Sequence, residues 1–570
     1  MYQPESDTCR RREVAVEESV NPILHGVMYE IYIRSYSDHS GDGTGDFLGI
    51  VDRLDYISRL GVSSILLNCP FLSVHGKDHH PLVDWMKIDP ELGTLSDFLL
   101  LLEKSHMRGL KVLLSLPVNA TSDQHVWFSE SRSAKGSLFS KSYFWSETPP
   151  PEPETRHDPP EKINWTLDPD SGRYYWFGDH KDEPSLNYGD GEVLAEMCRI
   201  FEHWFALDVD GFRLAGAGRL HARKKNEILP VSDPFKVFQP VISPLKKSYP
   251  EKMFLFETGS PPSGQRQVND ARLFYHFNPF FPAVISAIKK EDRSPLEPLL
   301  EAGSKGRTKK SLPRNRTIHL RERSEETFEL LNSESLEDAL FPLEPDLPED
   351  RPILSRVARL MENGRRRIQL VMSLFFTFPG LPVLYYGDEI GMGDHPHLRG
   401  KNPIRTPMHW SADRNAGFSR ADPEELFNPV IEDPLYSYQM VNVESQERFP
   451  DSHLWNVRKM IEIRNQNPLL YGDGDFDLVE TKSASVLAYV RSSDGATALF
   501  VHNLSKSARF GHLDLSKWYG FKPREMFSGG VFPTVAKSPY LLTMTPYSTI
   551  WFLLEAPANK KVARVRRRTT

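Results

Sequence analysis

The feature that most constrains the fold of this 570-residue chain is a repeated alternation of short apolar runs with amphipathic stretches. A short apolar run predicts a strand buried on both faces, and apolar positions at helical spacing predict a helix with one buried face. Strands are predicted at residues 27–33, 62–67, 111–116, 209–214, 253–256, 317–320 and 383–386, and helices at 47–60, 95–104 and 193–206. This alternation indicates a parallel sheet, and the number of units favours a closed (β/α)8 TIM barrel over an open sheet.

Two regions depart from this alternation. Residues 119–188 contain few apolar runs and many aromatic side chains, which predicts a loop-rich subdomain inserted after the third strand. From about residue 476, short apolar runs alternate with turn residues, which predicts a C-terminal antiparallel β-sandwich. The predicted domains are a flexible arm (1–20), the barrel (21–118 and 189–465), the insertion (119–188), the C-terminal β domain (466–556) and a basic tail (557–570).

Charge and cysteine content exclude several classes of function. The chain has 70 Lys and Arg against 77 Asp and Glu, a formal charge of −7, which argues against a dedicated nucleic-acid-binding protein. Its three cysteines fit neither a disulfide framework nor the spacing of a metal site. The most apolar stretch, residues 370–386, is interrupted by a Pro-Gly pair, so we expect no membrane span. The N-terminal residues lack an apolar segment, and we expect a cytoplasmic protein without an organic cofactor.

Several motifs spread over the chain resemble one known family. They are DGTGDF at 42–47, TSDQH at 121–125, DGFR at 210–213, YYGDEIGMGD at 385–394, RTPMHW at 405–410, DRNAGFSRADP at 413–423 and YQMVNVE at 438–444. These motifs are similar to those of the α-amylase superfamily (glycoside hydrolase family 13), and more closely to its trehalose synthase (maltose α-D-glucosyltransferase) branch. The resemblance runs from about residue 21 to residue 556, which is nearly the whole chain.

The resemblance implies a chemistry that needs carboxyl groups in different protonation states. Retaining glycosidases use one carboxylate as the nucleophile that forms a glycosyl-enzyme, and one carboxylic acid that protonates the leaving oxygen. In this superfamily a third carboxylate helps to hold the distorted sugar. Barrel enzymes place such groups at the carboxyl ends of strands, so the residues at these ends decide whether the chain is active.

The positions that carry catalysis in the family are partly replaced in this chain. On the fourth strand the nucleophile aligns with Ala215. Arg213, which orients that nucleophile in the family, is present, and it is interpreted either in that role or as half of a structural ion pair. The general acid aligns with Glu257 at the end of the fifth strand. After the seventh strand the transition-state Asp aligns with Ser324 and the sugar-binding His with Arg323.

The residues that grip glucose in the family are replaced as well. His80 and Pro81 stand where the second strand carries a Tyr-Asp pair, and Ala120 stands where the third-strand motif carries a His. Loss of a covalent nucleophile alone lowers rates by about 10⁴- to 10⁶-fold in comparable enzymes. The substitutions therefore predict a pseudoenzyme.

The first loop of the barrel resembles the calcium motif of the family. Asp38, Asp42 and Asp46 lie in the segment DHSGDGTGD, with Ser40 in place of an Asn. Closely spaced carboxylates in a Gly-rich loop suit a hard cation with oxygen ligands. The alternative is a turn closed by hydrogen bonds alone.

These observations support one main hypothesis and two alternatives. The main hypothesis is an inactive trehalose-synthase-like protein of carbohydrate metabolism that acts by binding or assembly. Its partners would be an α-glucoside or maltodextrin, an active paralogue, a maltose kinase or a second copy of the chain, but neither nucleic acid nor membrane. The first alternative is an active glycoside hydrolase or glucosyltransferase with altered chemistry that uses Glu257, with Glu322 or Glu325 as a second carboxylate. The second is the inactive barrel of a transporter ectodomain, against which the lack of a membrane span argues.

The inserted subdomain allows two interpretations of its own. Its aromatic side chains suit the stacking of sugars, but such residues more often form the core of a small subdomain. They are Trp127, Tyr143, Phe144, Trp145, Trp165, Tyr174, Tyr175 and Trp176.

Overall fold

The structure is a computed structural model. It describes residues 26–77, 79–133, 136–148, 164–178, 180–224, 227–258, 273–276, 280–301, 316–320, 355–398, 402–467, 475–493, 496–537 and 539–557. The predicted arm (1–20) lies outside these residues, as do Arg323, Ser324 and nearly all of the predicted basic tail.

Eight parallel strands form the barrel. They are β1 (Met28–Tyr32), β2 (Ser64–Asn68), β3 (Lys111–Pro117), β4 (Gly211–Ala215), β5 (Met253–Glu257), β6 (Leu273–His276), β7 (Thr317–His319) and β8 (Leu381–Tyr385). Their order in the sheet is β6-β5-β4-β3-β2-β1-β8-β7, and β6 and β7 lie next to each other at the two ends, so the sheet curls towards closure. This arrangement confirms the predicted (β/α)8 barrel, although β6 was not among the predicted strands.

Alternation along the strands divides their residues between two apolar layers. Inward-facing residues form a compact cluster of Met28, Leu66, Leu113, Met253, Leu255, Leu381 and Val383. Outward-facing residues such as Tyr29, Ile65 and Phe212 belong to a larger core shared with the surrounding helices. Because both faces are buried, the strands are apolar almost throughout, which is the pattern of a parallel sheet.

The helices follow the strands around the barrel. They are α1 (Phe47–Asp52), α2 (Leu54–Leu60), α3 (Leu95–His106), α4 (Val126–Ser133), α5 (Gly191–Ala206), α6 (Pro234–Ser248), α7 (Phe280–Lys290), α8 (Glu297–Glu301), α9 (Val357–Leu360), α10 (Arg365–Thr377), α11 (Val443–Glu447) and α12 (His453–Gln466). The prediction of a single helix over residues 47–60 is wrong, because Arg53 leaves helical geometry (φ −103°, ψ 3°) and separates α1 from α2. In the described part of the chain, every helix is too short or too polar to span a bilayer.

The aromatic residues of the insertion pack mainly against one another. The ring of Phe128 stacks on Trp145 at a centroid distance of 5.2 Å, and that of Trp127 stacks on Phe139 at 5.0 Å. Tyr143 and Tyr175 contact the ring of Phe128 edge-on. This packing favours the core interpretation of the aromatic residues over a sugar-stacking surface.

The C-terminal region is an antiparallel β domain, as predicted. Its strands are β9 (Asp475–Leu478), β10 (Val486–Ser493), β11 (Ala496–Asn503), β12 (Arg509–Leu513), β13 (Lys522–Glu525), β14 (Tyr540–Met544) and β15 (Thr549–Glu555). One sheet has the order β9-β10-β11-β15-β13, and β12 pairs with β14 in a second. Residues of both sheets share one apolar cluster, which includes Val501 of the first sheet and Leu542 of the second.

Candidate functional site

A polar layer lies inside the barrel, closer to the carboxyl ends of the strands than the apolar cluster. Its centre is Arg213 of β4, which is 4% exposed. Arg213 Nη1 lies 2.7 Å from Glu30 Oε1 of β1. Its Nε and Nη2 donate to Ser115 Oγ of β3 at 3.1 and 2.9 Å, and Nη2 also donates to Asn68 Oδ1 of β2. Four strands are thus joined through a single guanidinium.

Two further contacts of Glu30 extend this layer. Asn68 Nδ2 donates to Glu30 Oε1 at 2.8 Å, and His319 Nδ1 of β7 lies 3.9 Å from Glu30 Oε2. All of these side chains are buried, and a buried charge is tolerated only when it is paired and hydrogen-bonded. The geometry therefore corresponds to the ion-pair interpretation of Arg213.

The positions aligned with the nucleophile and the general acid lie side by side above this layer. Leu214 pairs with Phe256, so the next residues, Ala215 and Glu257, are neighbours at the ends of β4 and β5. Alternation puts Ala215 on the same face as Arg213, and Glu257 on the same face as the inward-facing Leu255. Both are half-buried, so both lie at the mouth of the barrel.

Acidic side chains are scarce in the strands. Within the eight barrel strands as described, only Glu30 and Glu257 are acidic. Glu30 is engaged by Arg213 and Asn68 below the mouth, and it is not placed to attack a sugar there. The described strand ends therefore present one carboxyl group, Glu257, where a retaining mechanism needs two.

The second-strand position is filled by a fixed, uncharged ring. His80 Nε2 lies 2.7 Å from the hydroxyl of Tyr32, and the ring stacks on Phe427 at 6.0 Å. Burial, with the nearby cations Arg34 and Arg405, lowers the pKa of His80 to about 2. Pro81 beside it is buried. The imidazole therefore stays neutral, and its Nε2 atom is already hydrogen-bonded to Tyr32.

Ala120, which follows the third strand, is held by backbone pairing. Ala120 is 8% exposed and forms an antiparallel bridge with Ser185 of the insertion. The amide of Leu186 donates to the carbonyl of Asn119 at 3.0 Å. These contacts thus join the two ends of the insertion, and position 120 carries a methyl group instead of a sugar-binding imidazole. The seventh-strand positions, Arg323 and Ser324, lie outside the described residues.

Hydrogen bonds hold the three aspartates of the first loop. The carboxylate of Asp38 accepts from the amides of Gly41 and Gly43 and from two serine hydroxyls, and that of Asp46 accepts from three amides. Asp42 is exposed, and its carboxylate accepts a hydrogen bond from the amide of Thr44 at 2.8 Å. The three carboxylates do not offer one oxygen each within 4.8 Å of one another, so they do not fit a calcium ion bound by all three. Calcium binding at this loop stays a prediction.

The family motifs after β8 form a second buried polar network. The guanidinium of Arg356 is fully buried, and its Nη1 donates to the carbonyl of Tyr386 at 2.7 Å and lies 3.3 Å from Asp388. The amide of Arg356 donates to Asp394 at 2.9 Å. Glu389 accepts from the hydroxyls of Tyr29 and Tyr56 at 2.6 and 2.9 Å, and burial raises its pKa. These acids are structural.

Sequence reasoning missed the partners of Arg213. Glu30 and Asn68 are polar residues within or at the end of otherwise apolar strands, and a charged residue inside a buried strand requires a partner. That pattern was the available signal. The sequence did not reveal which strands meet, because five separate strands supply this layer.

The fold and the site define a class: a glycosidase-like barrel with a C-terminal β domain and one acidic residue at the described strand ends. The sequence profile for "Alpha amylase, catalytic domain" matches residues 30–252 and 343–473, and that for "Maltogenic Amylase, C-terminal domain" matches residues 476–551. The chain therefore belongs to the α-amylase family, as the motifs indicated.

Its relatives include trehalose synthases. The trehalose synthase/amylase TreS of Mycobacterium tuberculosis is 34% identical over 556 residues, covering 93% of this chain and 90% of the relative. The trehalose synthase of Pimelobacter sp. is 34% identical over 555 residues, covering 93% and 95%. A mutant isomaltulose synthase of Erwinia rhapontici, solved in complex with D-glucose, has a TM-score of 0.70 at 21% identity and covers 93% of this chain and 99% of its own. That last likeness shows the fold alone.

Proposed function

We propose that this protein is a catalytically inactive, trehalose-synthase-like member of the α-amylase family that acts by binding an α-glucoside or by assembly. The observation that carries the proposal is Ala215, whose methyl group stands at the mouth of β4 beside Glu257. A methyl group cannot attack an anomeric carbon, and Glu30 is held in an ion pair below the mouth. Retaining chemistry therefore lacks its first step.

The proposal is tested by incubating the purified chain with maltose and with trehalose. We expect interconversion and glucose release to be lower by at least about 10⁴-fold than in an active trehalose synthase, because the covalent nucleophile is missing. Glu257→Gln is the matched control, and its background should equal that of the native protein. Trehalose formation by the native protein that Glu257→Gln abolishes would contradict the proposal.

Restoring carboxylates should not restore activity. In Ala215→Asp combined with Ser324→Asp, two acidic side chains are introduced, but Pro81 and Ala120 still stand where the family has the Asp and the His that hold the reacting glucose. His80 also remains bonded to Tyr32 at the second-strand position. Substantial maltose conversion by this double variant would show that the sugar site is intact.

Ligand binding is measured separately from turnover. The 34% identity with trehalose synthases supports an α-glucoside as the ligand class. Calorimetric titration with maltose and with a maltodextrin should give saturable binding that Glu257→Gln changes little. If neither sugar binds, assembly is the remaining part of the proposal, and sedimentation of the chain alone, with an active trehalose synthase and with a maltose kinase would reveal the partner.

An active enzyme with altered chemistry is the second candidate. The retention of Glu257 at the mouth, half-buried and beside a small residue, favours it. A carboxylic acid there could protonate a leaving oxygen if a water molecule performed the displacement. A screen of α-glucosides for reducing-sugar release decides between the candidates: release that Glu257→Gln abolishes supports the enzyme, and release that survives it excludes this mechanism.

A further inference from the structure

We propose that His79, His180 and Glu183 form a binding site for a zinc ion at the rim of the barrel. Each residue offers one ligand atom, and these atoms all lie within 4.8 Å of one another. His79 belongs to the loop after β2, whereas His180 and Glu183 belong to the insertion. Sequence spacing does not predict this site, because a hundred residues separate its two parts.

The ligand set suits zinc. Zn²⁺ binds imidazole nitrogens and carboxylate oxygens at about 2.0–2.2 Å, so atoms around a tetrahedral ion lie about 3.3 Å apart. The three ligand atoms are close enough to reach that separation by side-chain rotation. The rings of His79 and His180 lie parallel, with centroids 3.9 Å apart and an interplanar angle of 23°, so a turn of the exposed His180 ring would direct both lone pairs at one ion.

Asp182 supports His79 as a zinc ligand. Its carboxylate oxygens lie 3.1 and 3.2 Å from His79 Nε2. An ionised carboxylate only accepts hydrogen bonds, so Nε2 carries the proton of the neutral ring and Nδ1 keeps the lone pair. Ligating histidines commonly donate their second nitrogen to a carboxylate in this way.

Backbone hydrogen bonds lie on both sides of the site. The amide of His80 donates to Lys77 O at 3.1 Å, and that of Glu183 donates to His180 O at 3.0 Å. Lys77 forms an ion pair with Asp182 across the two turns. With Lys77 balancing one carboxylate, the group retains one negative charge, which favours a divalent cation.

A second cluster on the same rim provides the contrast. His75, Asp89 and Glu91 also offer ligand atoms close together. Here Arg34 Nη2 lies 2.9 Å from an oxygen of Asp89 and 2.9 Å from an oxygen of Glu91, and His75 Nδ1 lies 2.7 Å from Glu91. The guanidinium already supplies the positive charge, so this cluster does not need a metal ion.

The test is calorimetric titration of the full chain with ZnCl₂, and separately with CaCl₂. We expect one zinc ion per chain and a raised Tm in zinc, with little heat from calcium because two of the ligands are imidazoles. His180→Ala and His79→Ala should each weaken zinc binding at least about tenfold, and Asp182→Asn about 10- to 100-fold. His75→Ala is the matched control and should bind zinc like the native chain.

Three results would overturn the assignment. They are the absence of stoichiometric zinc binding, zinc binding that survives both His79→Ala and His180→Ala, and tighter binding of calcium than of zinc. His180 is exposed, so its alanine variant should fold normally, and an unchanged Tm without metal would confirm that. The site is independent of the proposed sugar binding, so failure of either proposal leaves the other standing.

Discussion

Two regions at the carboxyl end of the barrel differ in how closely they match the motifs of the family. After β8 the family motifs are intact, and their acids are buried around Arg356 and Tyr29. At and after the ends of β2, β3 and β4, the positions that the resemblance assigns to catalysis hold Pro81, Ala120 and Ala215, and Arg213 is paired with Glu30. The difference lies in the partners, because the motifs after β8 place their acids in buried contacts of the fold, whereas Ala215 lies half-buried at a strand end.

The strongest test of this comparison is removal of Arg356. Arg356→Leu leaves the fully buried acids around it without their cation, which should lower the free energy of unfolding by about 3–5 kcal/mol. Thermal denaturation measures the loss. Arg359→Leu is the control, because Arg359 is 35% exposed and 4.0 Å from Asp394, and it should cost less than about 1 kcal/mol. Equal losses would remove the structural role assigned to the first region.

Removal of Arg213 should lower the free energy of unfolding somewhat less, and a second substitution at Glu30 should restore most of it. Arg213→Met leaves the buried Glu30 without its guanidinium partner, which should lower the free energy of unfolding by about 3 kcal/mol. Combining it with Glu30→Gln removes both charges and should recover most of the stability, as a double-mutant cycle would show. If the double variant is as unstable as the sum of the single variants, the layer is not held by this charge pair.

Acid should destabilise both regions through buried neutral histidines. Burial lowers the pKa of His80 to about 2 and that of His409, after β8, to about 3. The unfolded chain takes up these protons near pH 6.5 and the folded chain does not, so stability is full above that pH and falls below it. When the pH falls from 7.5 to 5.5, each such histidine should lower the free energy of unfolding by about 1.4 kcal/mol.

The variants His80→Gln and His409→Gln separate the two contributions. Each should make Tm less dependent on pH over this interval, by an amount that corresponds to one proton. A pH dependence that neither variant changes would place the titrating groups elsewhere, for example at His453 or His502, whose pKa values burial lowers to about 4 and about 3.

The smallest expected effect is that of calcium removal. Asp38 and Asp46 already accept hydrogen bonds from the loop around them, so EDTA should leave the Tm of the zinc-free chain unchanged. Calcium bound at a hundred times its Kd would raise the free energy of unfolding by about 2.7 kcal/mol, which a calorimeter would detect. A fall in Tm on EDTA treatment that calcium reverses would establish the calcium site and count against the hydrogen-bonded turn.

The sequence predicted the barrel well because buried parallel strands are continuous apolar runs. It missed β6, whose four residues Leu273–His276 follow a polar stretch and run directly into the apolar sequence that leads to α7. The local alignment of motifs also predicts replaced family residues at 81, 120 and 215, and this stays a prediction. It did not predict the layer around Arg213 or the cluster of His79 with His180, since both depend on which distant segments the fold brings together.

The ion pair of Arg213 also bears on any attempt to introduce a carboxylate at position 215. All three guanidinium nitrogens donate to Glu30, Asn68 or Ser115. A carboxylate introduced at position 215 would therefore meet a guanidinium whose three nitrogens already have partners. A redesign of this strand end should change Glu30, Asn68 or Ser115 together with residue 215, because the interior of the barrel sets what the new acid can bind.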